Sequence, residues 1–138
     1  MARIILLILT SIAWQQCFSQ SELDTLKGTK TLPIANNRAT IKGFAFDTAL
    51  YISRDSLNKG FTVILQDPSY KVIFFLLVHD CEDCDIWENI IFGNIVSIKN
   101  VPMLKFLRKG DLLSLMVFKI EKKGKYFTIP EVNILLTD

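Results

Sequence analysis

"YKVIFFLLVH", Tyr70 to His79, holds seven consecutive apolar residues from Val72 to Val78, and its reading decides the fold. A strand with one wet face alternates apolar and polar side chains, whereas a continuous run rich in β-branched and aromatic residues suits a strand covered on both faces. Left exposed, the same window would invite aggregation, so burial in the middle of a sheet is expected. Turn chemistry brackets the run, with "DPS" at 67–69 before it and the polar loop "HDCEDCD", His79 to Asp85, after it.

Outward from this run, short β-prone segments alternate with turns. "TIKGFAF", "ALYIS" and "FTVILQ" precede it, the first two followed by the turn "RDSLNKG". "IWENIIF", "NIVSI", "DLLSLMVFKI" and "YFTIPEVNILL" follow it. Pro102 suits the first turn of a helix and Gly110 its end, which predicts one short helix over 102–109. The turn "EKKGK" joins two strands into a hairpin, with Gly124 supplying the permissive backbone. Pro130 has no N–H to give a ladder, so the final strand is expected at an edge or with a bulge. These features predict a mainly β chain, a single antiparallel β-sandwich (Ig-like) over 39–138 with one short helix. A polar lead-in or linker over 20–38 precedes it, helical near Glu22 to Lys27.

The start of the chain sets the compartment. Met1 to Phe18 reads "MARIILLILTSIAWQQCF", with Arg3 ahead of the apolar stretch Ile4 to Trp14. That stretch has the length of a signal-peptide core and falls short of the roughly 18 residues a membrane span needs. Cutting after Ser19 puts small residues, Cys17 and Ser19, at the two positions such a site requires, and Gln20 becomes the mature N-terminus. A signal sequence ending in "SQ" resembles those of exported proteins of Bacteroidota. Acylation at Cys17, the lipoprotein alternative, is disfavoured because Gln15 and Gln16 stand where small residues are wanted. Cleavage leaves 119 of 138 residues, enough for one domain, with no transmembrane span, and moves the net charge from +2 to +1. Such neutrality speaks against nucleic acid as a partner, which needs several phosphates neutralised. The charges are nevertheless uneven. An acidic loop at Asp80, Glu82, Asp83, Asp85 and Glu88 faces a basic excess that includes Lys105, Arg108, Lys109, Lys122 and Lys123.

"HDCEDCD" carries the chain's one histidine and two of its three cysteines. With Cys17 removed, Cys81 and Cys84 are the whole thiol complement of an exported protein, and the loop reads first as a structural disulfide. A redox pair is the second reading, since "VPMLKFLRKGD" resembles the thioredoxin-family segment that carries its cis-proline. Only 17 residues separate Cys84 from Pro102, too few for that fold's connection. Glu82, Asp83 and Asp85 also disfavour a thiolate by like charge. Zinc would have to draw His79, Cys81, Cys84 and a carboxylate from seven residues, and calcium on Asp80, Asp83 and Asp85 lacks the glycine of the usual loop. No cofactor or metal is therefore assigned. A lone histidine outside any nucleophile motif gives no hydrolytic triad, so no catalytic residue is named and the chain is read as a non-enzyme.

For protein contacts, Trp87 is the candidate anchor, Lys105, Arg108 and Lys109 a basic patch, and the strand at Pro130 a docking edge. The segment "IIFGNIVSIKNVPMLKFLRKGDLLSLMVFKIEKKGKYFTIPEVNILL" runs through Gly93-Asn94, the helix "PMLKFLRK", Gly110-Asp111, the strand "LSLMVFKI" and its return "YFTIPEVNIL". In that order it resembles the C-terminal β-domain of the GldM family, the periplasmic shaft of the gliding-motility and type IX secretion motor. The turn "EKKGK" departs from the family's glycine-proline-aspartate-glycine type. The resemblance implies an envelope-side adhesion or assembly module, with an envelope protein or a second copy as partner. The alternatives are a thiol-disulfide redox protein and a metal- or small-ligand-binding β-domain.

Overall fold

A computed structural model describes residues 20–29 and 31–138; the expected signal peptide and Cys17 lie outside the described residues. The chain is mainly β, with nine strands in two sheets among the described residues. A small sheet has the order β1 (Ala39–Ile41), β3 (Gly60–Leu65), β6 (Ile95–Ser97). The large sheet runs β2 (Ala49–Ser53), β9 (Val132–Thr137), β7 (Leu112–Lys122), β4 (Lys71–Asp80), β5 (Trp87–Phe92), with β8 (Lys125–Phe127) extending β7 as a hairpin. Lys123 and Gly124, both at positive φ, form that hairpin's two-residue turn. The helix α1 (Gln20–Thr29) lies against β7 on the outside of the large sheet. A one-turn helix, α2 (Arg54–Leu57), joins β2 to β3. No described helix is long and apolar enough to cross a membrane.

The apolar run does become an interior strand, β4, paired to β5 on one side and β7 on the other. Its odd-numbered members Phe75 and Leu77 join the core between the sheets, and its even members Phe74 and Leu76 pack on the outer face with Leu26 of α1. Two bulges adjust this alternation. Ile73 is an extra residue on β4, and a matching extra residue on β7 falls at Val117, which sits at φ 54°. One bulge shifts the register and the other restores it. Each places two successive side chains on the outer face, Ile73 with Phe74 and Met116 with Val117, and Leu23 and Leu26 of α1 cover them. The bulged Ile73 carbonyl accepts the Gly93 N–H at 2.8 Å, so its hydrogen bond is kept. Inside, Phe75 stacks on Phe118 with ring centres 5.2 Å apart.

Several expectations need correcting. β2 pairs with β9 in parallel, so the large sheet is mixed and not wholly antiparallel. Pro130 lies between β8 and β9, and the final strand is interior, flanked by β2 and β7. The predicted helix shortens to a 3₁₀ turn over Pro102–Phe106. Of "TIKGFAF", only the first two residues belong to β1. The lead-in residues are packed onto the sheets: Leu26 is buried, and the Asn37 side chain accepts the Asp67 N–H at 2.9 Å and donates to the Asp67 carbonyl at 3.1 Å.

Two measurements follow from this geometry. A methyl group on Gly60 would meet the Val96 carbonyl oxygen of β6 at 2.7 Å, whereas one on Gly93 meets nothing, though both glycines have positive φ. Gly93→Ala should cost about 1–2 kcal/mol by backbone strain alone, and Gly60→Ala at least about twice that by urea denaturation, because the strand itself must move. At the β3–β4 turn, the Ser69 hydroxyl and then the Ser69 N–H bond to Asp67 at 2.6 and 3.0 Å and hold its carboxyl below the usual 3.8, with partial burial opposing and Lys122 assisting. A carboxylate depressed on folding stabilises above its unfolded value and loses that contribution as pH falls through the folded one. In an NMR titration the Asp67 carboxyl should therefore titrate below the usual aspartate value, and Ser69→Ala should bring it back toward that value.

Candidate functional site

β4 ends by delivering His79 to the inner face, and the chain turns at once through Cys81-Glu82-Asp83-Cys84. Opposite, the segment leaving the 3₁₀ turn passes Leu107, Arg108, Lys109 and Gly110 and starts β7 with Asp111 just before it. Antiparallel pairing puts Asp80 against Leu112 and His79 against Leu113, which sets Asp111 beside the end of β4. Gly110, at φ 89°, makes the turn, and its N–H donates to the Leu136 carbonyl at 2.8 Å while the Leu136 N–H donates to the Asp111 carbonyl at 2.9 Å. The loop is thereby clipped to the end of β9.

Asp111 and His79 form the one buried ion-pairing contact among the described residues. His79 Nε2 lies 2.8 Å from Asp111 Oδ2, with side chains only 7% and 6% exposed. The same Oδ2 accepts the Arg108 N–H at 2.9 Å. A carboxylate accepting from a ring nitrogen fixes that nitrogen as the protonated one, so Nε2 donates and Nδ1 is left to other partners. The Cys81 and Cys84 sulfurs are in contact with Cα atoms 5.5 Å apart, a separation that suits a disulfide. Cys81 is buried and Cys84 exposed. One His79 ring nitrogen and both sulfurs lie within 4.8 Å of one another.

These groups open onto a cleft of about 480 Å³ that Arg54, Lys105, Phe106, Leu107 and Arg108 also line. Asp80, Asp83 and Asp85 are exposed and outside this cluster. The cysteines thus share their cleft with cations from α2 and the 3₁₀ segment, a setting that the acidic loop sequence does not reveal. Of the predicted contact residues, Lys105 and Arg108 line the cleft, while exposed Lys109 pairs with Asp138 at 3.4 Å. Trp87 is half-buried and packs on the core from the β5 position paired with His79, so its ring is not a free anchor. Pro130 is exposed. Asp111 is the functional residue that sequence reasoning missed as a partner of His79; an aspartate opening a strand is normally a turn residue, and only the β4–β7 register brings the two together.

His79→Ala would leave the Asp111 carboxylate buried with a single N–H, at a cost of about 3 kcal/mol in urea unfolding. Cys84→Ser should cost less, under about 2 kcal/mol, because the loop a Cys81–Cys84 bond closes is very short. The reverse order would mean that the corner is held by the cysteines and not by the dyad. Compared with protein-family models, curated proteins and solved structures, the chain matches none.

Proposed function

We propose that this chain is an exported, non-enzymatic β-domain of the bacterial cell envelope that works by binding another protein. The observation that carries the reading is an apolar row on the outer face of the large sheet. Tyr51, Leu135 and Leu112 lie on successive strands β2, β9 and β7 in register, with Tyr51 72% and Leu135 40% exposed. α1 covers the β5-β4-β7 part of that face, and the Ser114–Asn133 side-chain hydrogen bond at 2.8 Å separates the covered part from the open row. β2 is also an edge strand of the large sheet, with β9 as its one ladder partner among the described residues. A free edge beside exposed aromatic and aliphatic side chains is what strand addition by a partner uses, backbone hydrogen bonds giving affinity and side chains giving choice.

Two further considerations support the reading. The last third resembles the GldM C-terminal domain, which points to assembly rather than turnover. The N-terminal "MARIILLILTSIAWQQCFSQ" reads as an export signal, which places the partner outside the cytoplasm. Arg54, Lys105 and Arg108 around the cleft form a basic pole that would orient the domain on an acidic partner and speed the encounter.

A photo-reactive residue at position 51, installed in the protein within its native envelope, should cross-link one partner, either an envelope protein or a second copy of the chain. Leu135→Arg should lower recovery of that partner at least tenfold while the melting temperature stays within a few degrees. Equal recovery by Leu135→Arg would sink the reading.

A further inference from the structure

We propose that His79, Cys81 and Cys84, with the cysteines in their dithiol form, are a zinc site. The inference is independent of the interaction surface and rests on donors that the fold has already brought together. Two thiols and an imidazole nitrogen converge within 4.8 Å. A tetrahedral zinc with bonds of about 2.3 Å to sulfur and 2.0 Å to nitrogen separates neighbouring donors by roughly 3.5–3.8 Å. To reach that spacing the two sulfurs, joined in the disulfide, must part once it is reduced, and the imidazole nitrogen is already within 4.8 Å of both. The C-x-x-C turn, with Cα atoms 5.5 Å apart, allows both sulfurs to face one ion.

The support behind the donors points the same way. A metal-binding histidine usually gives its second ring N–H to a carboxylate, which fixes the tautomer and aims the other nitrogen at the metal. His79 Nε2 faces Asp111 Oδ2 at 2.8 Å, and that oxygen is itself held by the Arg108 N–H at 2.9 Å. Nδ1 is thereby the nitrogen with a lone pair to offer. The Asp111 carboxylate satisfies the buried imidazole and the Arg108 N–H, and a carboxylate that orients an imidazole beside two thiols is also the arrangement a zinc site needs. His79 and Cys81 are buried and Cys84 is exposed at the cleft. An ion can reach the donors, and its fourth position is left to solvent in the cleft. Two thiolates cancel the charge of Zn²⁺, and sulfur with imidazole nitrogen selects zinc over calcium or magnesium.

The site competes with the Cys81–Cys84 disulfide. An external dithiol opens the bond by supplying two electrons and is itself oxidised to a disulfide, leaving Cys81 and Cys84 as thiols. Zinc then displaces two protons, one from each sulfur, which pass to solvent. Occupancy of the site is therefore set by redox conditions.

The test uses the purified chain, reduced with a dithiol under anaerobic conditions and freed of reductant, then titrated with Zn²⁺ against a chromophoric chelator and, separately, with Co²⁺. One ion per chain and a thiolate-to-cobalt charge-transfer band with tetrahedral visible bands are expected, and neither in the oxidised protein. Cys84→Ser, a change at an exposed position, should lose at least half of the charge-transfer intensity, and Asp111→Asn should weaken zinc affinity about 10–100-fold with stoichiometry unchanged. Should Asp111→Asn fail to fold, Cys84→Ser alone decides. Zinc binding that Cys84→Ser leaves intact would place the ion on the carboxylates of the loop and overturn the proposal. No binding by the reduced chain, or a disulfide that external dithiol leaves closed, would overturn it equally.

Discussion

A strand that is apolar on both faces has to be covered twice, and the organisation of this domain follows from that constraint on β4. Its inner side chains define the core with the small sheet, where Phe75 meets Phe118. Its outer side chains would face water if the large sheet ended there, since only a helix or another sheet can cover them. The lead-in segment supplies the cover: Leu23 and Leu26, three apart on α1, lie on one helical face and close over Phe74, Leu76 and Ile90. The polar character of residues 20–29 is that of a helix with one narrow apolar stripe.

At the end of β4 the same strand changes its purpose. Its last inward residue is polar, and the core accepts it because Asp111 arrives from β7 to pair with it. Burying that pair requires the Arg108 N–H and the clip to β9, so the corner is built from three segments that are distant in sequence, the end of β4, the loop 108–111 and β9. Such a corner is a rigid frame around the cysteines, and rigidity of the surrounding groups is what lets two thiols and an imidazole present themselves together.

Much of the fold was legible because its signals are local. The central position of β4, the hairpin at Gly124, and the strands at 49–53, 87–92 and 95–97 were each announced by composition or by turn residues. What could not be read depends on pairing at a distance. The parallel β2–β9 ladder links segments some eighty residues apart, and neither strand's composition marks it. Pro130 was placed within a strand; the ladder is interrupted there, and β8 and β9 pair with β7 in one register on either side of the break. The acidic sequence of "HDCEDCD" argued against a reactive thiolate, and its crowding of ligands into seven residues against zinc. The carboxylates turn outward, while the cleft is lined by Arg54, Lys105 and Arg108 from elsewhere. Of the site, the cysteines and His79 were visible in the sequence and Asp111 was not, since a histidine's partner is chosen by register.

The paired bulges also constrain how the chain can change over generations. With Ile73 and Val117 each adding one residue, the strands on either side of them keep inside and outside aligned only because the two additions cancel. Deleting either residue alone would turn one end of its strand over, moving buried side chains such as Leu113 and Leu115, or Val72, to the opposite face. Gaps at these two places are therefore tied to each other: a lineage that loses one must lose the other, leaving a flatter sheet with less apolar surface for α1 to sit on.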